Sequence, residues 1–178
     1  MKKKIFFSWM LVIICAGFIF FMSSMDANES NEKSKAVIND LVEKSEQKNN
    51  TLEVMDKHSD ELKKQQIVNK LNQPLRKVAH ASEYFVFILL IIISLKNSGI
   101  GGKKIFLIAL MICFIYACTD EYHQTFVNGR TGQFTDSLID TLGGAIGCVV
   151  FLIIDKIIKE KCKTIKKYSF KQNTTLNK

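Results

Sequence analysis

The chain has 178 residues, 47% of them apolar, with thirteen Phe, a single Pro and a net charge of +8. The apolar residues come in long runs separated by polar segments, which is the pattern of a membrane protein rather than a globular one. The basic surplus flanks those runs, as "MKKK" at the start and as eight lysines between residues 156 and 178; no nucleic-acid motif accompanies it, so nucleic-acid binding is set aside.

In chain order, the first predicted membrane helix is 5–22, preceded by three lysines. A cleaved signal peptide usually ends in a small-x-small cleavage site, and the run that ends "FIFFMSSM" lacks that pattern. Cys15 follows two isoleucines and makes a poor lipoprotein site, so an uncleaved anchor is expected. Residues 23–73 form an extracytoplasmic segment of mixed charge. Weak apolar spacing (Val37, Leu41; Leu52, Met55, Leu62) predicts one or two helices on the outer surface, with a flexible loop as the alternative.

The next apolar run, 85–95, is only eleven residues. At 1.5 Å per residue it falls well short of the roughly 30 Å of hydrocarbon. The second span is therefore drawn over 76–96, with its helix starting near Pro74, a residue suited to a first turn. It then includes His80 and Glu83. The third span, 104–123, must likewise take in Asp120, Glu121 and His123. The fourth, 136–155, includes Asp136 and Asp140. Residues 156–178 form a basic tail. The expected fold is all-α: four transmembrane helices with an extracytoplasmic segment between the first two. The unbroken "FVFILLIIISL" and the lysine flanks argue against a soluble bundle.

Of the five cysteines, Cys15, Cys113, Cys118, Cys148 and Cys162, none forms a CxxC pair, and four lie in apolar runs as small hydrophobes. Neither a disulfide framework nor a zinc site is inferred. With four crossings, Lys2 to Lys4, Lys96, Lys103, Lys104 and the tail all fall on one side. The positive-inside rule makes that side the cytoplasm. The expectation is a multi-pass plasma-membrane protein with both termini cytoplasmic.

On this topology the ionisable residues share one level. Arg76, His80 and Glu83 are spaced i, i+4, i+7 on one helix face. Asp120, His123 and Gln124 share a face at the end of the third span. Asn128-Gly129 is a turn signal that presents Arg130 back to the bundle. Asp136, Asp140, Gly143 and Gly147 fall within about 60° on a helix wheel, so the acids point the way the close-packing glycines point. An intramembrane charge facing lipid costs some kcal/mol, so each needs a partner, a water or a ligand. Arg76 and Arg130 are expected to pair with Glu83, Asp120 and Asp136.

Three readings of this cluster stay open. As structural glue, its hydrogen bonds would each contribute only about 0.6 kcal/mol. As a catalytic site, its candidates are His80, Glu83, Asp120, Glu121, His123, Asp136 and Asp140. His80, Glu83, Asp120, His123 and Asp140 also offer the nitrogen and oxygen donors of a divalent-metal site, although no HExxH or paired-Cys motif is present. As a binding site, Arg76, Lys77, Gln124 and Arg130 would hold a phosphate-bearing ligand such as a membrane lipid.

Three blocks of the sequence resemble the VanZ-like family. "FIFFMSSMDANESNEKS" is similar to its first-helix exit. "LRKVAHASEYFVFILL" is similar to its Arg-Lys-x-x-His-x-x-Glu-Tyr block. "DEYHQTFVNGRTGQFTDSLIDTLGGAIG" is similar to its Asp-Glu-x-His-Gln…Gly-Arg…Asp…Asp…Gly block. One departure is Asn128, where the family commonly has Pro. The resemblance implies a small polytopic membrane protein of the cell envelope, linked to reduced sensitivity to teicoplanin-type glycopeptide antibiotics. The antibiotic itself is then a further partner to consider. The expected role is binding an envelope lipid or lipid-linked precursor in an outward-facing polar site. The alternative is an enzyme, acid–base or metal-assisted, that modifies such a substrate.

Overall fold

The computed structural model describes residues 2–25, 32, 35–37, 40 and 57–176. The fold is all-α. Its long helices are α1 (Lys2–Ser23), α2 (Lys57–Asn97), α3 (Lys104–Gln124) and α4 (Phe134–Leu176). Each holds a stretch long and apolar enough to cross a membrane: Lys2–Ser23, Pro74–Asn97, Lys104–Gln124 and Phe134–Ile165. The shortest has 21 residues, which at 1.5 Å each covers about 31 Å, the thickness of the hydrocarbon core.

Apolar spacing decides how the helices pack. α2 lies at the centre, against each of the other three. It buries Tyr84, Phe87, Ile88, Ile91, Ile92 and Leu95, steps of three and four that make one stripe. α3 answers with Ile105, Ala109, Cys113 and Ala117, one residue per turn. α1 turns only Ser8, Val12, Ile19 and Ser23 inward. Its outer face carries Phe6, Phe7, Ile13, Ile14 and Phe21, all more than half exposed. In water such a face would be an aggregation surface; in hydrocarbon it is the ordinary exterior of a spanning helix.

α4 approaches most closely through its glycines. A Cβ added at Gly143 would stand 2.2 Å from the Ala81 carbonyl oxygen of α2. At Gly147 it would stand 2.6 Å from Ile88 Cγ2 and 3.0 Å from the Phe85 carbonyl oxygen. Gly144 is turned towards α3 instead, where a Cβ would meet Cys113 Sγ at 2.8 Å. The three glycines let α4 wedge between α2 and α3, which places the start of α4 beside the middle of α2.

Two elements differ from the sequence reading. Pro74 does not open the second helix; it lies inside α2, which begins at Lys57. Residues 57–73 are rich in Lys and Gln, good helix formers, and the helix they make runs on through the proline despite the roughly 3 kcal/mol that an interior proline costs. α4 likewise continues through the lysine-rich segment to Leu176. Of the residues expected in surface helices, Leu41, Leu52 and Met55 lie outside the described residues, and Leu62 falls within α2.

The two ends of the bundle are tied differently. At the end where α2 meets α3, Lys96 Nζ donates to Asp155 Oδ1 at 2.8 Å, and Lys159 Nζ reaches Asp155 Oδ2 at 2.5 Å. Trp9 Nε1 donates to Ser98 Oγ at 3.0 Å there. The opposite end holds the charged cluster.

Candidate functional site

Four segments build the charged end: the stretch of α2 after Pro74, the last turn of α3, the loop 125–133, and the first two turns of α4. The loop is shaped by its glycines. The Arg130 N–H donates to the Val127 carbonyl at 3.1 Å, closing a four-residue turn. Gly129, third in that turn, has φ +74°, the left-handed region that glycine enters without strain. Gly132 presses the loop onto α3, where a Cβ would stand 2.2 Å from the Glu121 carbonyl oxygen. The loop thus folds back over the helix ends and carries Arg130 inward.

The segments enclose a cavity of about 140 Å³, roughly ten times the 10–15 Å³ one water requires. α2 contributes Arg76, Lys77 and His80; α3 contributes Glu121 and Gln124. The loop adds Gly129, Arg130, Thr131 and Gln133, and α4 adds Asp136, Ile139 and Asp140.

Hydrogen bonds organise the wall. Lys77 Nζ donates to Asp136 Oδ1 at 2.7 Å, linking α2 to α4. Gln124 Nε2 donates to Glu121 Oε1 at 3.2 Å and to Asp120 Oδ2 at 3.4 Å. The Gln133 backbone N–H donates to Glu121 Oε2 at 2.9 Å, so both Glu121 oxygens are engaged. His80 Nδ1 lies 3.4 Å from Glu83 Oε2, one turn deeper. The Lys77–Asp136 pair is partly exposed, at 40% and 29%, so its coupling should be small, about 0.2–1 kcal/mol. Lys77→Asp or Asp136→Lys alone should lower the unfolding midpoint in detergent, and the double exchange should recover most of the loss. No recovery in the exchanged protein would show that the contact does not form.

Arg130 is the outlier. It is 7% exposed, and Nη2 donates to the Met22 carbonyl of α1 at 3.4 Å. Its Nε and Nη1 make no hydrogen bond to any described residue. Burial pushes the pKa of this loop guanidinium down, and the neighbouring Arg76 adds to that, against the opposing pull of Asp120, Glu121 and Glu83. An arginine remains charged through such a shift. The cavity wall therefore presents a buried cation with donors to spare.

The structure brings together eight of the residues singled out from sequence: Arg76, Lys77, His80, Glu121, Gln124, Arg130, Asp136 and Asp140 all line the cavity. Three others stand off it. Glu83 lies behind His80, Asp120 is buried behind Gln124, and His123 stacks on Phe20 of α1 with ring centroids 4.1 Å apart. Of the shared face expected for Asp120, His123 and Gln124, His123 lies at the edge and off the cavity. α3 buries Ala117, Asp120, Glu121 and Gln124, and at 100° per residue His123 lies roughly 110° from the middle of that arc. The arginine–carboxylate pairing is also corrected: Asp136 is held by Lys77, and Arg130 has no ion pair with a described carboxylate. A lysine one position past Arg76 reaches α4 because the glycine contacts bring that helix so near.

Among the described residues, no group of three His, Cys, Asp or Glu side chains converges to hold a metal ion. The proposed donors His80, Glu83, Asp120, His123 and Asp140 are spread around and behind the cavity rather than about one point. Sequence reasoning missed Thr131 and Gln133 in the wall. It also missed Tyr84, fully buried, whose hydroxyl finds no hydrogen-bond partner among the described residues. In "SEYFVFILL" that tyrosine reads as packing, and only its depth beside polar neighbours distinguishes it.

No curated protein sequence and no solved structure matches this chain. A family model described as VanZ/LLP1 matches residues 7–155, a range that reaches into all four spans and takes in the whole cavity, and the protein belongs to that family.

Proposed function

We propose that this VanZ-family membrane protein binds the phosphate of an envelope lipid or lipid-linked cell-wall precursor in the cavity between α2, α3 and α4. The observation that carries this reading is Arg130, buried in the wall with Nε and Nη1 unpartnered among the described residues. Arg76 and Lys77 line the same cavity. Two arginines near one another repel, and an anion between them relieves that repulsion while accepting charge-assisted hydrogen bonds. By the lysine asymmetry the protein sits in the plasma membrane with both termini cytoplasmic and this cavity facing out. That side is where lipid-linked precursors are consumed and where a glycopeptide acts. Reduced sensitivity to teicoplanin-type antibiotics then follows if the protein withholds or reorganises such lipids.

A second reading is favoured by the His80–Glu83 contact. A carboxylate 3.4 Å from one imidazole nitrogen is the pairing a His general base commonly uses. His80 itself lines the cavity, so an enzyme acting on the bound lipid is the alternative. One experiment separates the two. Purified protein is incubated with radiolabelled phospholipids and lipid-linked precursors, then separated from excess lipid and extracted. Recovery of unchanged lipid supports the binder, and a new product abolished by His80→Gln supports the enzyme. Neither retention nor conversion of any phosphate-bearing lipid would defeat both.

A further inference from the structure

The lining of the cavity is not that of a simple anion site. It holds three cations, Arg76, Lys77 and Arg130, and three carboxylates, Glu121, Asp136 and Asp140. Two of the carboxylates are already served, Asp136 by Lys77 and Glu121 by Gln124 and the Gln133 amide. Asp140 is not. It is 2% exposed, and among the described residues it has no ion-pair partner. It stands one turn before Gly143, where α4 is pressed against α2, and it meets its surroundings through the cavity. Arg130, from the loop, lines the same cavity, 7% exposed with Nε and Nη1 unpartnered among the described residues. His80 lines the same cavity. An anion alone would satisfy Arg130 and worsen the position of Asp140. A cation alone would do the reverse. A ligand with both charges on one small headgroup satisfies both ends.

We infer that the cavity selects a zwitterionic headgroup, its phosphate at Arg130 and its ammonium at Asp140, the chemistry of an aminated phospholipid. This rests on the phosphate reading above and narrows it. An ammonium is favoured over a neutral hydroxyl because a buried carboxylate gains far more from a full opposite charge than from a dipole.

The test uses the full chain in detergent micelles and a set of short-chain fluorescent lipids that differ only in the headgroup. These are phosphatidylethanolamine, its N-acetylated form, and phosphatidic acid. N-acetylation keeps the phosphate and removes the ammonium, so the comparison needs no altered protein. Phosphatidylethanolamine should bind at least tenfold more tightly than either of the others. Asp140→Asn should lower its affinity to that of the N-acetylated lipid and leave phosphatidic acid unchanged or tighter. Free O-phosphoethanolamine that competes as well as the lipid identifies a soluble source of the headgroup, and weaker competition identifies a membrane source; both support the zwitterion assignment. Equal binding of the three lipids by the wild-type protein, still lost in Arg130→Gln, overturns this inference and leaves the phosphate reading standing. Binding of none of them overturns both.

Discussion

Replacing Arg130 by Gln should cost about a hundredfold in affinity for a phosphate-bearing lipid while leaving the protein as stable as before. The two halves of this expectation have separate causes. The guanidinium offers Nε and Nη1 to the cavity with no protein partner among the described residues. Hydrogen bonds to charged groups contribute about 1.5–3 kcal/mol, and about 3 kcal/mol is roughly a hundredfold in Kd. Its only hydrogen bond to a described residue is the long one to the Met22 carbonyl, at 3.4 Å. Losing that contact while removing a desolvated charge is close to neutral, because a buried cation without protein partners is itself a cost. Arg130→Lys should recover part of the affinity, since it keeps the charge and loses the fork. Lipid binding in detergent and the thermal unfolding midpoint read the two quantities. A variant that unfolds instead would make Arg130 a structural residue.

Gly143→Ala should be the most destabilising methyl group in the bundle. All three nearest atoms to its added Cβ are backbone atoms of Ala81, at 2.2, 2.8 and 2.9 Å, and backbone cannot rotate aside. α4 must move away from α2, and overpacking of this sort costs about 1–3 kcal/mol. The sign is diagnostic, because an unopposed Gly→Ala change in a helix gains up to about 1 kcal/mol. Gly17→Ala supplies the control, since nothing lies within 4 Å of its Cβ position. Gly143→Ala should lower the midpoint of SDS-induced unfolding and Gly17→Ala should not. Lipid affinity should fall with it, because the same α2–α4 approach sets the Lys77–Asp136 bridge and the position of Asp140.

The fold was readable from sequence because hydrocarbon leaves few choices. A run such as "FVFILLIIISL" must be helical, with every backbone group bonded within the segment. A helix wheel then groups Asp136, Asp140, Gly143 and Gly147 with no knowledge of the neighbours. What depended on the neighbours was not readable. His123 and Glu121 exchange roles according to where α1 lies, and sequence does not say that Phe20 takes the imidazole. Lys77 rather than an arginine holds Asp136 because of a helix spacing set by three glycines, and Gly144 was invisible as a contact to α3. Pro74 misled because proline marks helix starts on average, whereas here the preceding polar segment is helical already. Thr131 and Gln133 carry no chemical signature; a backbone amide reaching Glu121 is a property of the loop's path.

Lipid recognition from the outer leaflet requires that the end of the bundle that carries Arg130 open to water outside the cell. Substituted-cysteine labelling in intact cells answers this most directly, in full-length protein with its own five cysteines replaced by serine or alanine. Thr131→Cys sits in the cavity wall, and Gly101→Cys sits in the loop at the opposite end, with nothing within 4 Å of its Cβ position. A membrane-impermeant maleimide should modify Thr131→Cys in intact cells and reach Gly101→Cys only after the cells are opened. The reverse pattern, or a Thr131→Cys thiol that no aqueous reagent reaches from either side, would contradict an outward-facing, water-filled site.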